Sequence, residues 1–162
     1  MPDDSRPVLA GDDLETWAAF ATVLEWLPPA LDHPLTAFDL THFEYGILYA
    51  LADSPSLTLR MSVLAGYSNS SLSRLSRAVS RLEKRDWVRR APDPDDGRST
   101  LAIMTDAGLA RFEQATPDHV DTLHRVIFDR LTLAQKRQLR EISRRISGAI
   151  REEEGWRPPG SA

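Results

Sequence analysis

The sequence of 162 residues predicts a mainly α-helical fold with one small β-wing, and three features predict it. The first is an amphipathic helix over residues 69–86. The second comes directly after that helix, where two short runs typical of strands, 87–90 and 101–104, are joined by a turn-rich loop. The third is a pair of apolar stripes at helical spacing, one near each end of the chain. Helix, strand, loop and returning strand in this order are typical of a winged helix-turn-helix.

The first stripe belongs to a helix that follows an N-terminal tail, 1–11, which we expect to be disordered. Asp12 or Asp13 can cap this helix, and the pair Pro28-Pro29 is expected to end it. We interpret residues 30–39 as a loop. This helix is unusually apolar for one near a chain end. We therefore expect it to lie in a subunit interface rather than to be buried within its own monomer. Its apolar positions are Leu14, Trp17, Phe20, Ala21, Leu24 and Leu27.

The segment between this helix and residue 71 predicts two short helices with a strand between them. Thr41 and Glu44 have the spacing of a capping box, so a helix should begin there and run to about Ala52, before Ser54-Pro55. A short strand over 57–59 and a third helix over 61–67 follow. Residues 68–71 then form a turn, with Ser70 or Ser71 as the N-cap of the amphipathic helix.

That helix has one face suited to a core and another suited to a polyanion. Four apolar side chains lie within about 80° of one another at 100° per residue: Leu72, Leu75, Val79 and Leu82. The opposite side carries Arg74, Arg77, Arg81, Lys84 and Arg85, and the flank carries Ser73, Ser76 and Ser80. An ordinary solvated basic face is the alternative. The charge distribution argues against it, because residues 60–90 hold eight basic and two acidic residues, a net +6 in a chain of −4. The remainder therefore carries −10, an asymmetry expected when one surface meets phosphate.

The C-terminal half predicts the wing and two further helices. The loop 92–99 contains two prolines and a glycine, and the strand after it is followed by a Thr105-Asp106 cap. Thr116-Pro117 should restart or kink the next helix. Thr132 and Gln135 form a second capping box. The last helix then carries a near-heptad seam of Leu139, Ile142, Ile146 and Ile150, and residues 155–162 form a tail.

Composition excludes several classes of protein. Cysteine is absent, which removes disulfides and thiol redox sensing. His119 and His124 are five residues apart, which does not suit shared metal ligation, and His33 and His42 lie elsewhere, so no metal site or cofactor is expected. No phosphate loop, nucleophile elbow or catalytic cluster indicates an enzyme. No signal peptide or apolar span is present, so a cytoplasmic protein without membrane contact is expected.

Five segments within 60–108 resemble the DNA-binding core of the MarR family of bacterial transcription regulators. They are Ser76-Arg77, Leu82-Glu83, Trp87-Val88-x-Arg90, Asp96-Gly97-Arg98 and Thr105-Asp106-Ala107-Gly108. The flanking helices match the family layout too, so the resemblance covers about 12–154. Asp86 departs from the family, which commonly has glycine there. Asp tolerates the left-handed conformation better than most residues, so a tight helix end remains possible.

The resemblance implies a homodimer that binds double-stranded DNA. We interpret it as a repressor, with an activator as the alternative. Its dimerisation helices would be 12–29 and 105–154, and its DNA-binding core 40–104. The amphipathic helix would enter the major groove of a pseudo-palindromic operator, and Arg98, positioned by Asp96, would enter the minor groove. The implied DNA-binding residues are Ser70, Ser71, Ser73, Arg74, Ser76, Arg77, Arg81, Arg90, Asp96 and Arg98. Arg90 could instead form a structural pair with the acidic residues of the wing.

The family also implies a dimer interface and an effector. Interface residues would be Leu14, Trp17, Leu24, Leu139, Ile142 and Ile146. A small aromatic or phenolic ligand would release the DNA, and its candidate contacts are Trp17, Phe20, Phe38, His42 and Tyr45. For each of these residues, plain core or interface is the favoured alternative. The alternative function is a winged-helix protein-interaction module without DNA readout.

Overall fold

A computed structural model describes residues 8–153 and has six helices and three strands among them. The helices are α1 (Gly11–Leu35), α2 (His42–Ala52), α3 (Met61–Tyr67), α4 (Leu72–Glu83), α5 (Asp106–Val126) and α6 (Leu133–Glu153). The strands are β1 (Thr58–Arg60), β2 (Val88–Pro92) and β3 (Thr100–Met104). The predicted tails, 1–11 and 155–162, lie outside the described residues apart from residues 8–11. The mainly helical fold with a small β-wing is confirmed.

Local sequence signals position the helix starts as expected. The Thr41 hydroxyl accepts from the Glu44 amide at 3.1 Å, and the Glu44 carboxylate accepts from the Thr41 amide at 3.2 Å. Thr132 and Gln135 exchange the equivalent pair of bonds ahead of α6. Each capping box satisfies amides that a helix start leaves unpaired. α2 accordingly ends at Ala52 and α3 spans Met61–Tyr67, as predicted.

The predicted end of α1 at Pro28-Pro29 is wrong. The helix continues through both prolines and through Pro34 to Leu35, and a 3₁₀ turn over Thr36–Phe38 occupies the rest of the predicted loop. Leu31 and Leu35 are buried on this last part of the helix, so packing outweighs the lost amide bonds. The prediction that Asp12 or Asp13 caps α1 is also wrong. The N-cap is Ala10, and Asp12 and Asp13 lie in the first turn, where carboxylates stabilise the positive helix end.

The three strands form an antiparallel sheet in the order β1–β3–β2, with Thr58 opposite Ile103 and Val88 opposite Met104. The core lies between this sheet and helices α2, α3 and α4. Its fully buried members include Leu48, Leu51, Leu64, Leu75, Val79 and Leu82. Gly108 at the start of α5 allows the close approach of β2, because a Cβ there would lie 2.0 Å from the Trp87 carbonyl oxygen. The wing is therefore fixed directly to α5.

The apolar stripes near both chain ends remain exposed in the single chain. α6 buries none of its residues and makes only isolated contacts with the other described elements. The six predicted interface side chains are 39–53% exposed: Leu14, Trp17, Leu24, Leu139, Ile142 and Ile146. Surfaces of this kind mark interaction sites in soluble proteins. Among residues 8–153, no helix has the length and apolar character needed to cross a membrane.

Candidate nucleic-acid interface

Both ends of α4 are fixed by local bonds. The Ser71 hydroxyl accepts from the Arg74 amide at 3.3 Å, as an N-cap should. At the other end Asp86 has φ of 60°, and the Trp87 amide donates to the Leu82 carbonyl at 3.0 Å. A left-handed residue followed by this back-bond is the usual C-terminal stop of a helix. Aspartate therefore serves where the MarR family commonly has glycine.

The two faces of α4 are separated as the sequence predicts. Leu75, Val79 and Leu82 are buried, while the basic side chains point outward. Leu72 is an exception to the predicted apolar face, since it is 55% exposed. It is the first helical residue and projects beyond the core. Ala78 is buried as well, so four buried side chains hold the helix in the core while its basic side chains reach solvent.

Arg77 is the clearest candidate reader on that face. It is exposed, and the described part of the chain offers its guanidinium no hydrogen bond or ion pair. Arg74, one turn earlier, lies with its guanidinium carbon 4.2 Å from the centre of the Phe43 ring. That cation–π contact holds Arg74 near the start of α2. A planar guanidinium without an internal partner can form a bidentate pair with a guanine edge.

Arg81 is tied to the protein by a buried carboxylate. Its Nε donates to Glu44 Oε1 at 2.7 Å, and Arg85 Nη1 donates to Glu44 Oε2 at 3.2 Å. Glu44 is 1% exposed and also caps α2, so one side chain links α2 to α4. Arg81 remains half exposed, and the Nη edge of its guanidinium is left for another partner. No local pattern indicates this link, because Arg81 and Glu44 are 37 positions apart in the chain.

Arg90 is occupied within the protein. Its Nη2 donates to the Ser76 carbonyl at 2.6 Å and to the Ser80 hydroxyl at 3.0 Å. Its Nη1 pairs with Glu83 at 3.0 Å. The residue therefore braces β2 against α4, and its acidic partner lies on α4 rather than in the wing. A DNA contact by Arg90 stays a prediction, to which this geometry adds no support.

The acidic residues of the wing organise its loop. Asp93 is buried and accepts from Arg60 Nε at 2.6 Å and from the Asp95 amide at 2.9 Å. The Asp95 amide and Arg60 together hold the pKa of the Asp93 carboxyl below its usual value. The structure thus accounts for one of the acidic residues in a loop that should approach DNA, because Asp93 is bonded within the protein. Its charge is compensated inside the protein.

Asp96 has a different partner from the one expected. Its carboxylate accepts from the Ser99 hydroxyl at 2.7 Å and from the backbone amide of Arg98 at 3.1 Å, not from the guanidinium. The hydroxyl and then the amide lower the pKa of Asp96. The short aspartate side chain reaches the amide two residues on more easily than a solvated arginine tip. Arg98 is exposed at the end of a wing whose turn Asp96 shapes.

The candidate ligand residues lie on three elements: α1, the turn that follows it, and α2. Trp17 and Phe20 contact each other on α1, with ring centroids 6.5 Å apart. His42 and Tyr45 on α2 lie against His119 of α5, at 5.3 Å and 4.2 Å between ring centroids. Phe38, in the turn between α1 and α2, packs on the core.

The pair His42 and His119 was not foreseen from the sequence, where the two residues are 77 positions apart. The Nδ1 atoms of both rings are buried and have no hydrogen-bond partner in the described part of the chain. Burial lowers the pKa of both imidazoles. Proximity to His42 lowers that of His119 further, while Asp32 partly opposes the shift at His42. The folded protein therefore favours both rings in the neutral form.

Acid should weaken the fold through this pair. The ordinary histidine pKa is about 6.5, so the unfolded chain takes up protons below that pH more readily than the folded chain. The free energy of unfolding should fall as the pH drops below about 6.5. Denaturant unfolding of His119→Gln should show a shallower fall, while the exposed His33→Gln should match the wild type. Identical pH profiles for His119→Gln and the wild type would contradict the interpretation.

Comparison with known proteins connects this geometry to a family. Residues 38–99 match the model of the MarR family. Sco3205, a MarR family transcriptional regulator from Streptomyces coelicolor in complex with DNA, has 39% identity and a TM-score of 0.86 over 88% of this chain and 94% of its own. AbsC, a MarR family regulator from the same organism, has 30% identity and a TM-score of 0.86 over 91% of this chain and 99% of its own.

A curated relative matches over a shorter stretch. The uncharacterised HTH-type regulator YdcH of Bacillus subtilis is 31% identical over 87 residues, which span 51% of this chain and 58% of that regulator. The two Streptomyces structures, in contrast, are covered almost completely. Sequence, fold and the outward basic face of α4 agree, and the chain belongs to the MarR family of transcription regulators.

Proposed function

We propose that the protein is a homodimeric repressor that binds a pseudo-palindromic operator in double-stranded DNA. The observation that carries this proposal is the state of Arg77, an exposed arginine that has no partner among residues 8–153 and lies on a helix whose other face is buried in the core. A relative with 39% identity, Sco3205, has a structure in complex with DNA, which supports DNA binding by this protein as well. Occupation of a promoter by such a dimer would block transcription.

The proposed DNA contacts are of two kinds: some would read base edges, and others would position the protein on the DNA backbone. Arg77, with the free edge of Arg81, would read bases in the major groove, and Ser73 and Ser76 would bond base edges or phosphates. Ser70 and Ser71, at the positive end of α4, would hold a phosphate. Arg74 would contact the backbone. Arg98 would enter the minor groove, where a narrow A·T-rich groove concentrates negative potential.

A second copy is the proposed cover for the exposed stripes of α1 and α6. The exposed seam of α6 is continuous over Leu139, Ile142 and Ile146, and a second copy buries the same seam on both sides of a two-fold axis. Dimer symmetry then requires two half-sites about 34 Å apart, one helical turn of DNA. A single α4 in one groove would bind too weakly and with too little discrimination.

A small aromatic or phenolic ligand is the proposed effector. The unpartnered Nδ1 atoms of His42 and His119, next to the rings of Tyr45 and Phe112, offer polar and aromatic groups in one place. α2 also carries Glu44, which holds Arg81, so a shift of α2 would move a proposed DNA contact. The ligand must bind the DNA-incompetent state more tightly, and such coupling is typically about 1–3 kcal/mol.

The test uses the purified protein and the promoter region of its own gene. We expect protection of a two-fold symmetric site, with an affinity that falls as salt rises by about 0.9 in log–log slope per phosphate neutralised. A reporter under that promoter should be silenced when the protein is expressed. A protein-interaction module would show neither the symmetric footprint nor the salt dependence, and that result would refute the proposal.

A further inference from the structure

α6 carries a second basic surface, apart from the one on α4. Within Leu133–Glu153 there are six basic and three acidic residues, a net +3 in a protein of net −4. Arg140, Arg144 and Arg151 form one row along this helix, because four and seven residues are close to whole numbers of helical turns. The DNA-binding role described above uses none of these three arginines.

The row lines a cleft between α6 and the turn that precedes α4. The cleft has a volume of about 710 Å³. Its lining residues are Asn69, Ser70, Ser71, Arg140, Ser143, Arg144, Ser147, Ile150 and Arg151. Arg151 Nη2 donates to Asn69 Oδ1 across the cleft, which ties α6 to the turn. Three arginines, four serines and an asparagine thus face one space, and no carboxylate is among the lining residues.

No carboxylate lies beside Arg140 or Arg144 among the residues that line the cleft. Arg140 and Arg144 are neighbours on the helix surface, where like charges repel, and no ion pair of either occurs within the part of the chain that the structure describes. Arg145, by comparison, pairs with Glu141 at 2.8 Å on another face of the same helix. Guanidinium groups and hydroxyls match the three or four oxygens of a phosphate group in geometry and charge.

The part of the cleft beside Arg140 and Arg144 stays open if a second copy covers the apolar seam, whose last member, Ile150, lines the other end of the cleft. At 100° per residue the arginine row and the seam of Leu139, Ile142 and Ile146 are centred roughly 140° apart on α6. The seam would face the partner, whereas the arginines face the DNA-binding core of their own chain. An oxyanion could therefore enter the cleft in the dimer.

We propose that this cleft is an oxyanion site in which Arg140 and Arg144, with the serine hydroxyls opposite them, bind a phosphate group. The phosphate could be part of the DNA backbone, since Ser70 and Ser71 line both the cleft and the proposed start of the DNA contact, or part of a free phosphorylated small molecule. Binding of a DNA phosphate rests on the proposed function, whereas binding of a free phosphorylated molecule does not.

The experiment compares the full-length protein with Arg140→Gln/Arg144→Gln. Glutamine keeps helix propensity while removing the charge. The matched control is Arg137→Gln/Arg145→Gln, which removes the same charge from α6 at positions outside the cleft. One arm measures the melting temperature without DNA in millimolar pyrophosphate, against sodium chloride of equal ionic strength. The other arm measures the salt dependence of DNA binding.

Each outcome has a defined meaning. A pyrophosphate-dependent rise in melting temperature that only the cleft variant loses would establish a site for free phosphate. A fall of about 0.9 or more in the log–log slope of DNA binding, again only in the cleft variant, would establish a DNA phosphate. If both variants match the wild type in both arms, the proposal is wrong. Dissociation of the cleft variant into monomers would also overturn it, because the arginines would then serve the subunit contact.

The two proposals can fail separately. A wild-type protein that ignores its promoter would refute the repressor function, and the pyrophosphate arm would still test the cleft. A wild-type protein that binds its operator, with a cleft variant indistinguishable in both arms, would refute the cleft alone.

Discussion

Replacement of Arg77 by alanine should collapse operator discrimination while leaving the fold and the dimer intact. The side chain is exposed and makes no bond within the described residues, so its loss costs the folded protein little. A bidentate arginine–guanine pair contributes about 1–3 kcal/mol of discrimination, which is about a 5- to 150-fold loss in the ratio of operator to non-specific affinity. A dimer loses one pair in each half-site. Fluorescence anisotropy with operator and scrambled duplexes gives this ratio directly.

Two control variants distinguish base readout by the Arg77 guanidinium from the general effect of its positive charge. Arg77→Lys keeps the positive charge but not the planar fork, so it should retain non-specific affinity and the salt slope while losing discrimination. Lys84→Ala removes one charge from the C-terminal end of the same basic face and should weaken both duplexes alike. If Arg77→Ala preserves the affinity ratio, Arg77 is not a reader and the assignment of α4 to the major groove fails.

The sequence predicts the parts of the fold that depend on neighbours in the chain. Thr41 with Glu44, and Thr132 with Gln135, form capping boxes within four residues, so spacing alone fixed those helix starts. The alternating strands and the left-handed Asp86 are equally local. α1 shows the limit of such reasoning. Pro28-Pro29 is a local stop signal, and burial of the helix beyond it, which no local pattern reports, overrides that signal.

The sequence predicts which residues form the candidate site, but it does not predict which side chains they bond within the protein. The row of arginines on α4 follows from helical spacing. Which arginines are already occupied depends on contacts between elements: Arg81 of α4 bonds Glu44 of α2, and Arg90 of β2 bonds Glu83 of α4. His42 and His119 meet for the same reason, since α2 and α5 pack together in space. Sequence patterns therefore identified the basic face, while the structure separates its free arginines from its internally bonded ones.

Polar substitution of the seam should remove dimerisation and operator binding together. Ile142 and Ile146 are about half exposed in the single chain, and a two-fold interface would bury four such side chains. Burial of the exposed part would contribute about 3–6 kcal/mol per dimer, enough to shift association by two to four orders of magnitude. Ile142→Gln/Ile146→Gln should therefore be a monomer by light scattering at concentrations where the wild type is a dimer. Glutamine preserves α6 itself, so circular dichroism should still report the wild-type helix content.

DNA binding must fall with dimerisation if the two copies of α4 bind as a unit. The monomer can occupy only one half-site and loses the effective concentration that the first contact gives the second. Affinity for the full operator should then drop to that for an isolated half-site, and the footprint should lose its symmetry. Arg137→Gln on the same helix, outside the seam, should change neither mass nor footprint. A monomeric Ile142→Gln/Ile146→Gln protein that still protects the full operator would show that one winged helix suffices, and the two-fold geometry would have to be abandoned.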